Sequence, residues 1–178
     1  MTNLEIPSEN RFIEYLIHLS QEQNRGILAV LRRGLSQPPA ADVNMYPHVA
    51  RFVNEKERGT QREKIYYLIA ALFAYHPLFT HEGNFGRHMR LAAGDVGLEA
   101  AERRFTALLN AHADDLPDYL RQAISYLRSK EVAVNWEVLF KDLKNWEASD
   151  RFIQRSWANS FWGYAPAGQQ ANQEKENN

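Results

Sequence analysis

The stretch TQREKIYYLIAALFAY, Thr60 to Tyr75, decides the fold. Thr60-Gln61-Arg62-Glu63 is a capping box, in which the Thr hydroxyl and the Glu carboxylate satisfy free backbone donors at a helix start. From Ile65 to Tyr75 no face carries a charge, so the helix that follows has to be surrounded by other elements. Pro77 ends it. Outward from this segment the punctuation by Gly34, Gly59, Gly83, Gly86, Gly94, Gly97, Gly163 and the prolines separates further helical patterns. Helices are expected near 9 to 23, 25 to 34, 46 to 57, 61 to 75, 86 to 93, 98 to 111, 116 to 130, 135 to 146 and 149 to 162. The short alternation Val132-Ala133-Val134 is too brief for a strand.

The expected fold is therefore all-α, with eight or nine helices in two packed lobes, about 11 to 93 and 94 to 163, divided near Gly94 to Gly97. Residues 1 to 10 form an N-terminal segment. The tail after 163 is polar, with no large apolar residue from Gly168 onward, and is expected to be disordered over 164 to 178. Leu139, Leu143, Trp146, Ile153 and Trp157 recur at core spacing, so the tryptophans read as packing rather than as stacking platforms. Asp114-Asp115-Leu116-Pro117 reads as a helix start.

Composition excludes several chemistries. The 178 residues contain no cysteine, hence no disulfide, thiolate metal site or cysteine nucleophile, and the expected address is the cytoplasm. The first apolar run, Phe12 to Leu19, is interrupted by Glu14 and His18 and does not match a secretory or membrane segment. Phosphate-binding glycine loops and a Gly-x-Ser-x-Gly elbow are missing. His81-Glu82-Gly83-Asn84-Phe85 lacks the second histidine of a zinc-protease helix. His76, His81 and His88 beside Glu82 leave a metal-dependent hydrolase as a minority reading. No cofactor and no metal are expected.

Net charge is −1, and it stays near neutral, with 20 basic against 18 acidic side chains, once residues 1 to 10 and 168 to 178 are set aside. Any case for nucleic acid rests on placement rather than on bulk charge. Fifteen of the 21 basic residues are Arg, whose planar fork suits phosphate. With ~100° per residue, Arg25, Arg32 and Arg33 share a polar arc. Arg121 and Arg128 stand opposite Leu116, Leu120, Ala123 and Leu127, and Arg103 points away from Phe105 and Leu108. Lys141, Lys144, Arg151 and Arg155 share one arc if helices 135 to 146 and 149 to 162 run on continuously, with Glu147 and Asp150 pointing elsewhere. Such stripes can follow a phosphate backbone without reading bases, or form an ordinary solvated face.

The order of Leu31-Arg32-Arg33-Gly34-Leu35, Arg62 to Ala74, Asn84-Phe85-Gly86-Arg87-His88-Met89-Arg90-Leu91, Glu102-Arg103-Arg104-Phe105, Leu116 to Ala123 and Asn135 to Trp146 resembles the CasB family. That family is the small subunit of the type I-E CRISPR surveillance complex, Cascade. The resemblance runs from about Phe12 to Trp162 and implies an all-α, non-catalytic protein acting in antiviral defence. It implies two copies packed head to tail, beside guide RNA, target DNA, the displaced strand and the large and backbone subunits. The implied work is stabilising the R-loop, with phosphate contact at Arg32, Arg33, Arg103, Arg121, Arg128, Lys144, Arg151 and Arg155. Arg25 and Lys141 rest on facial geometry alone. The rival reading from the residues is a helical adaptor that contacts only protein.

Overall fold

The computed structural model describes residues 8 to 94 and 96 to 163. Most of the segment expected at 1 to 10, and the tail expected to be disordered over 164 to 178, lie outside the described residues. Among the described residues there are nine α-helices: α1 Ser8–Gln21, α2 Arg25–Arg33, α3 Tyr46–Val49, α4 Gln61–Tyr75, α5 Phe85–Ala93, α6 Leu98–Leu109, α7 Leu116–Ser129, α8 Trp136–Lys144 and α9 Phe152–Trp162. The one β-type pairing among them is an isolated parallel bridge between Phe79 and Val134.

Helix α4 is enclosed as its sequence requires. Every residue from Tyr66 to Ala74 is buried, with α2 and α8 as its main cover and α1, α3 and α7 completing the ring. Its N-terminus differs in detail from the expected box. Thr60 Oγ1 accepts from Arg62 N at 3.2 Å, but Glu63 reaches one residue further back and accepts from Gly59 N at 2.6 Å. Gly59 adopts φ +71°, and the Thr60 N–H is already used by Glu57 O.

The expected helix over 46 to 57 is broken. After α3 the chain forms a 3-10 turn at Ala50–Phe52, an extended Val53, and a second 3-10 turn at Glu55–Glu57. Asn54 causes the second break: its side chain accepts from Lys56 N at 3.2 Å, a local bond that competes with helical pairing. The run from 135 to 162 is also discontinuous, because α8 stops at Lys144 and the chain enters α9 through Arg151 at φ +52°.

The expected boundary at Gly94 to Gly97 separates α5 from α6 along the chain, while packing follows another grouping. Helix α8 lies against α4 and α1, whereas α5 lies against α9, α6 and α7. Phe12, Tyr66 and Phe140 close the first group, with ring centroids 4.7 to 5.3 Å apart. The second group centres on the α5 to α9 contact, where Phe85 meets Trp157. Trp146 and Trp157 are buried, as their spacing predicts, and so is Trp136, with Trp157 Nε1 donating to Asp142 at 2.6 Å.

Gly86 is required by the α5 to α9 approach, since a Cβ there would stand on the backbone carbonyl of Trp157. Gly86→Ala is expected to cost about 1–3 kcal/mol through overpacking, a drop of several degrees in Tm by calorimetry. Gly26→Ala, where a Cβ meets nothing within 4 Å, is expected to raise Tm slightly, because alanine is the better helix former.

Candidate nucleic-acid interface

Helices α2, α6 and α7 and the end of α4 surround an open groove of about 890 Å³. Arg32 and Arg33 enter from the last turn of α2, Arg104 from α6, and Arg121 from α7. Tyr75, Gln122, Ser125, Tyr126 and Ser129 supply the polar floor, and Leu35 and Ser36 close one side. Among the described residues no carboxylate lines it.

The arginines are held differently. Arg32 and Arg33 are exposed and make no ion pair among the described residues. Cations in a last helical turn also complement the helix dipole, so part of their effect is on α2 itself. Arg121 donates to Leu35 O at 3.1 Å and faces Asp118 at 3.6 Å. The first bond stitches α7 to the end of α2, while the second is a solvated pair of little energetic weight. Arg128 sits over the Tyr75 ring, 4.4 Å from its centroid. Arg104 sits over the Tyr126 ring at 5.2 Å and donates to Ala100 O at 2.8 Å. The Tyr75 hydroxyl pairs with Ser125 Oγ at 3.3 Å. That bond, helped by Arg128 and opposed by burial, holds the phenol below its usual range.

Three of the expected phosphate ligands thus come together, Arg32, Arg33 and Arg121, while Arg128 does not line the groove and touches it only through the Tyr75 ring. Arg104 is the groove residue that sequence reasoning missed. Its signal in the sequence is the Arg103-Arg104 doublet, in which facial geometry favours the solvent-facing Arg103. Arg103 is exposed but does not line the groove. Arg25 opens α2, seven residues before Arg32, or about 10 Å along the axis. Lys141 is exposed on α8.

The shared arc of Lys141, Lys144, Arg151 and Arg155 does not form, because the left-handed turn at Arg151 breaks the continuous helix it needed. Lys144 is not on a solvated face. Its side chain is 6% exposed and its Nζ lies 2.6 Å from Glu57 Oε1, beside the Tyr66 and Phe140 rings. Tyr66 donates to the other Glu57 oxygen at 2.9 Å. Arg151 donates to Leu109 O at the end of α6, where a cation satisfies an unpaired helix carbonyl. Arg155 approaches Asp150 at 4.0 Å, so that acid does not point away from it.

The histidines do not converge. His76 Nε2 meets Val132 O at 2.7 Å, His88 Nε2 meets Glu82 O at 3.0 Å, and His81 faces Glu137 from an exposed position. Among the described residues no group of three or more His, Asp or Glu side chains is arranged to hold a metal ion. Burial lowers the pKa of both His76 and His88, against the backbone hydrogen bond each makes. No helix among the described residues is long and apolar enough to cross a membrane.

The all-α fold is shared with known proteins. Residues 27 to 162 match the profile of the CRISPR-associated protein Cse2 family. The CRISPR-associated protein Cse2 of Thermus thermophilus is 30% identical over 169 residues, covering 93% of this chain and 96% of that protein. A crystal structure of a Cse2-family protein from the same organism superposes with a TM-score of 0.78 at 28% identity, covering 89% of this chain and all of the other. A chain in a CRISPR RNA-guided surveillance complex shares the fold, with a TM-score of 0.76 at 24% identity over 88% of this chain and 92% of its own length. The chain belongs to the Cse2 family, the CasB family that its sequence resembles.

Lys144→Ala leaves Glu57 buried without its cation, and is expected to cost about 3–5 kcal/mol in urea unfolding. A second expectation concerns acid. The unfolded histidines take up protons near pH 6.5, before the buried ones, so the stability these groups contribute is complete above that value and is lost below it. The unfolding midpoint of the wild type should therefore fall faster between pH 7 and 5.5 than that of His76→Gln, which retains a donor for Val132 O. Parallel curves would show that His76 does not titrate in this way.

Proposed function

We propose that this chain is a non-catalytic small subunit of type I-E Cascade, and that its arginine groove holds backbone phosphates of the R-loop during antiviral defence. Cse2 proteins are structural subunits of that complex and not known enzymes, which supports the first half. One observation carries the second: Arg32, Arg33, Arg104 and Arg121 reach one groove from three helices, with no carboxylate in its lining among the described residues. Clustered guanidiniums recognise phosphate whatever the base, and release of condensed counterions supplies the affinity. Sequence is then read by the guide RNA. Exchange of a DNA duplex for an RNA–DNA duplex is nearly balanced, so modest backbone contacts can tip it.

The partners in this reading are guide RNA, target DNA and the displaced strand, the large and backbone subunits, and a second copy arranged head to tail, all in the cytoplasm. Near-neutral net charge fits a subunit whose neighbours raise its effective concentration. Arg25, Arg103, Lys141 and Arg155 remain candidates for peripheral contact. Lys144 and Arg151 serve the fold first.

A helical adaptor without nucleic-acid contact is the second reading. It is favoured by a hollow of about 500 Å³ whose apolar walls are Pro38, Pro39, Ile65, Leu68, Pro117, Leu143 and Trp146. Binding to labelled random-sequence single-stranded DNA across a salt series separates the two. The groove reading expects weak, salt-sensitive binding, with the log-log slope shallower by about 0.7 for Arg32→Ala or Arg33→Ala. Binding that is absent at low salt, and no effect of either substitution in the assembled complex, would establish the adaptor.

A further inference from the structure

Tyr75 and Tyr126 line the groove, and each carries a guanidinium on its ring, Arg104 within the lining and Arg128 at its margin, while both hydroxyls are themselves fixed. Arg128 lies 4.4 Å from the Tyr75 centroid, and the Tyr75 hydroxyl is paired with Ser125. Arg104 lies 5.2 Å from the Tyr126 centroid, and the Tyr126 hydroxyl donates to Ala92 O at 3.1 Å. The rings come from α4 and α7 and are half-buried, whereas both arginines are exposed. An exposed arginine has a large rotamer entropy to lose when it engages a ligand. A ring beneath the guanidinium removes part of that freedom beforehand through the guanidinium face and leaves for a ligand those edge N–H groups that are not already engaged, as one of Arg104's is by Ala100 O.

We propose that Tyr75 and Tyr126 are positioning residues that preorganise Arg128 and Arg104 as phosphate ligands. The inference rests on the phosphate-binding reading of the groove and assigns the tyrosines no contact with nucleic acid. Their role is carried by the ring rather than the hydroxyl. The phenylalanine variants therefore keep the effect, and loss of the ring matters only while the arginine is present.

The test uses the full chain and labelled random-sequence single-stranded DNA, with Tyr75→Phe, Tyr75→Leu, Arg128→Ala and the Tyr75→Leu/Arg128→Ala double variant, and thermal unfolding alongside. Tyr75→Phe is expected to bind as wild type, and Tyr75→Leu about two- to fivefold more weakly, the size of an exposed cation–π contact. In the Arg128→Ala background, Tyr75→Leu should cost nothing further. Equal losses from Tyr75→Leu with and without Arg128, or no loss while Arg128→Ala weakens binding, would overturn the inference and leave the groove reading standing. Binding insensitive to salt and to Arg32→Ala would overturn both. The same cycle at Tyr126 and Arg104 decides the matter if Tyr75→Leu fails to fold.

Discussion

A helix with no polar face has to be wrapped, and the architecture follows from wrapping α4. The apolar run from Tyr66 to Ala74 would leave a large hydrophobic area in water if any side stayed open. Helices α2 and α8 therefore come to it from opposite ends of the sequence, and α1, α3 and α7 fill the gaps. Bringing α8 back to α4 carries the chain away from α7 and then forward again to α9. The groove exists because α2, anchored on α4, ends beside α7, where Arg121 bonds to Leu35 O.

Enclosure on this scale traps polar groups, and the larger of them find partners in distant parts of the chain. Glu57 is buried before α4, where Lys144 from the end of α8 and Tyr66 from α4 satisfy its two oxygens. Trp136 and Trp146 donate their indole N–H groups to the carbonyls of Leu78 and Ala111. Breaking one such pair costs more than a solvated ion pair would contribute, because the remaining group has no water to turn to. Lys144 thus commits its charge to the fold, and Arg151 does much the same at the end of α6.

What was legible in the sequence was what neighbouring residues decide. The apolar run of α4, the starts at Thr60 and Leu116, and the buried face through Leu139, Leu143, Ile153 and Trp157 all follow from spacing and local chemistry. The broken segment after α3 was not legible, since it leaves the helix at Val53 and its second turn hangs on a single Asn54 side-chain bond in place of helical pairing. The candidate site was half legible. Arg32, Arg33 and Arg121 show on their own helices, but Arg104 becomes a groove residue only through the packing of α6 against α7, which no helical wheel contains. Lys144 was misread for the converse reason. Its place on a wheel is polar, and the acid that claims it lies 87 positions earlier.

The chain passes three times between the two helix groups, from α4 to α5, from α7 to α8, and from α8 to α9. Sequential lobes joined by one linker can swing about it, whereas interlaced ones are cross-braced. The groove draws one wall from each group, with α2 on one side and α6 and α7 on the other. Its backbone width is thus set by how the two groups pack on each other, so a core substitution that shifts one group against the other would change the distance between its walls.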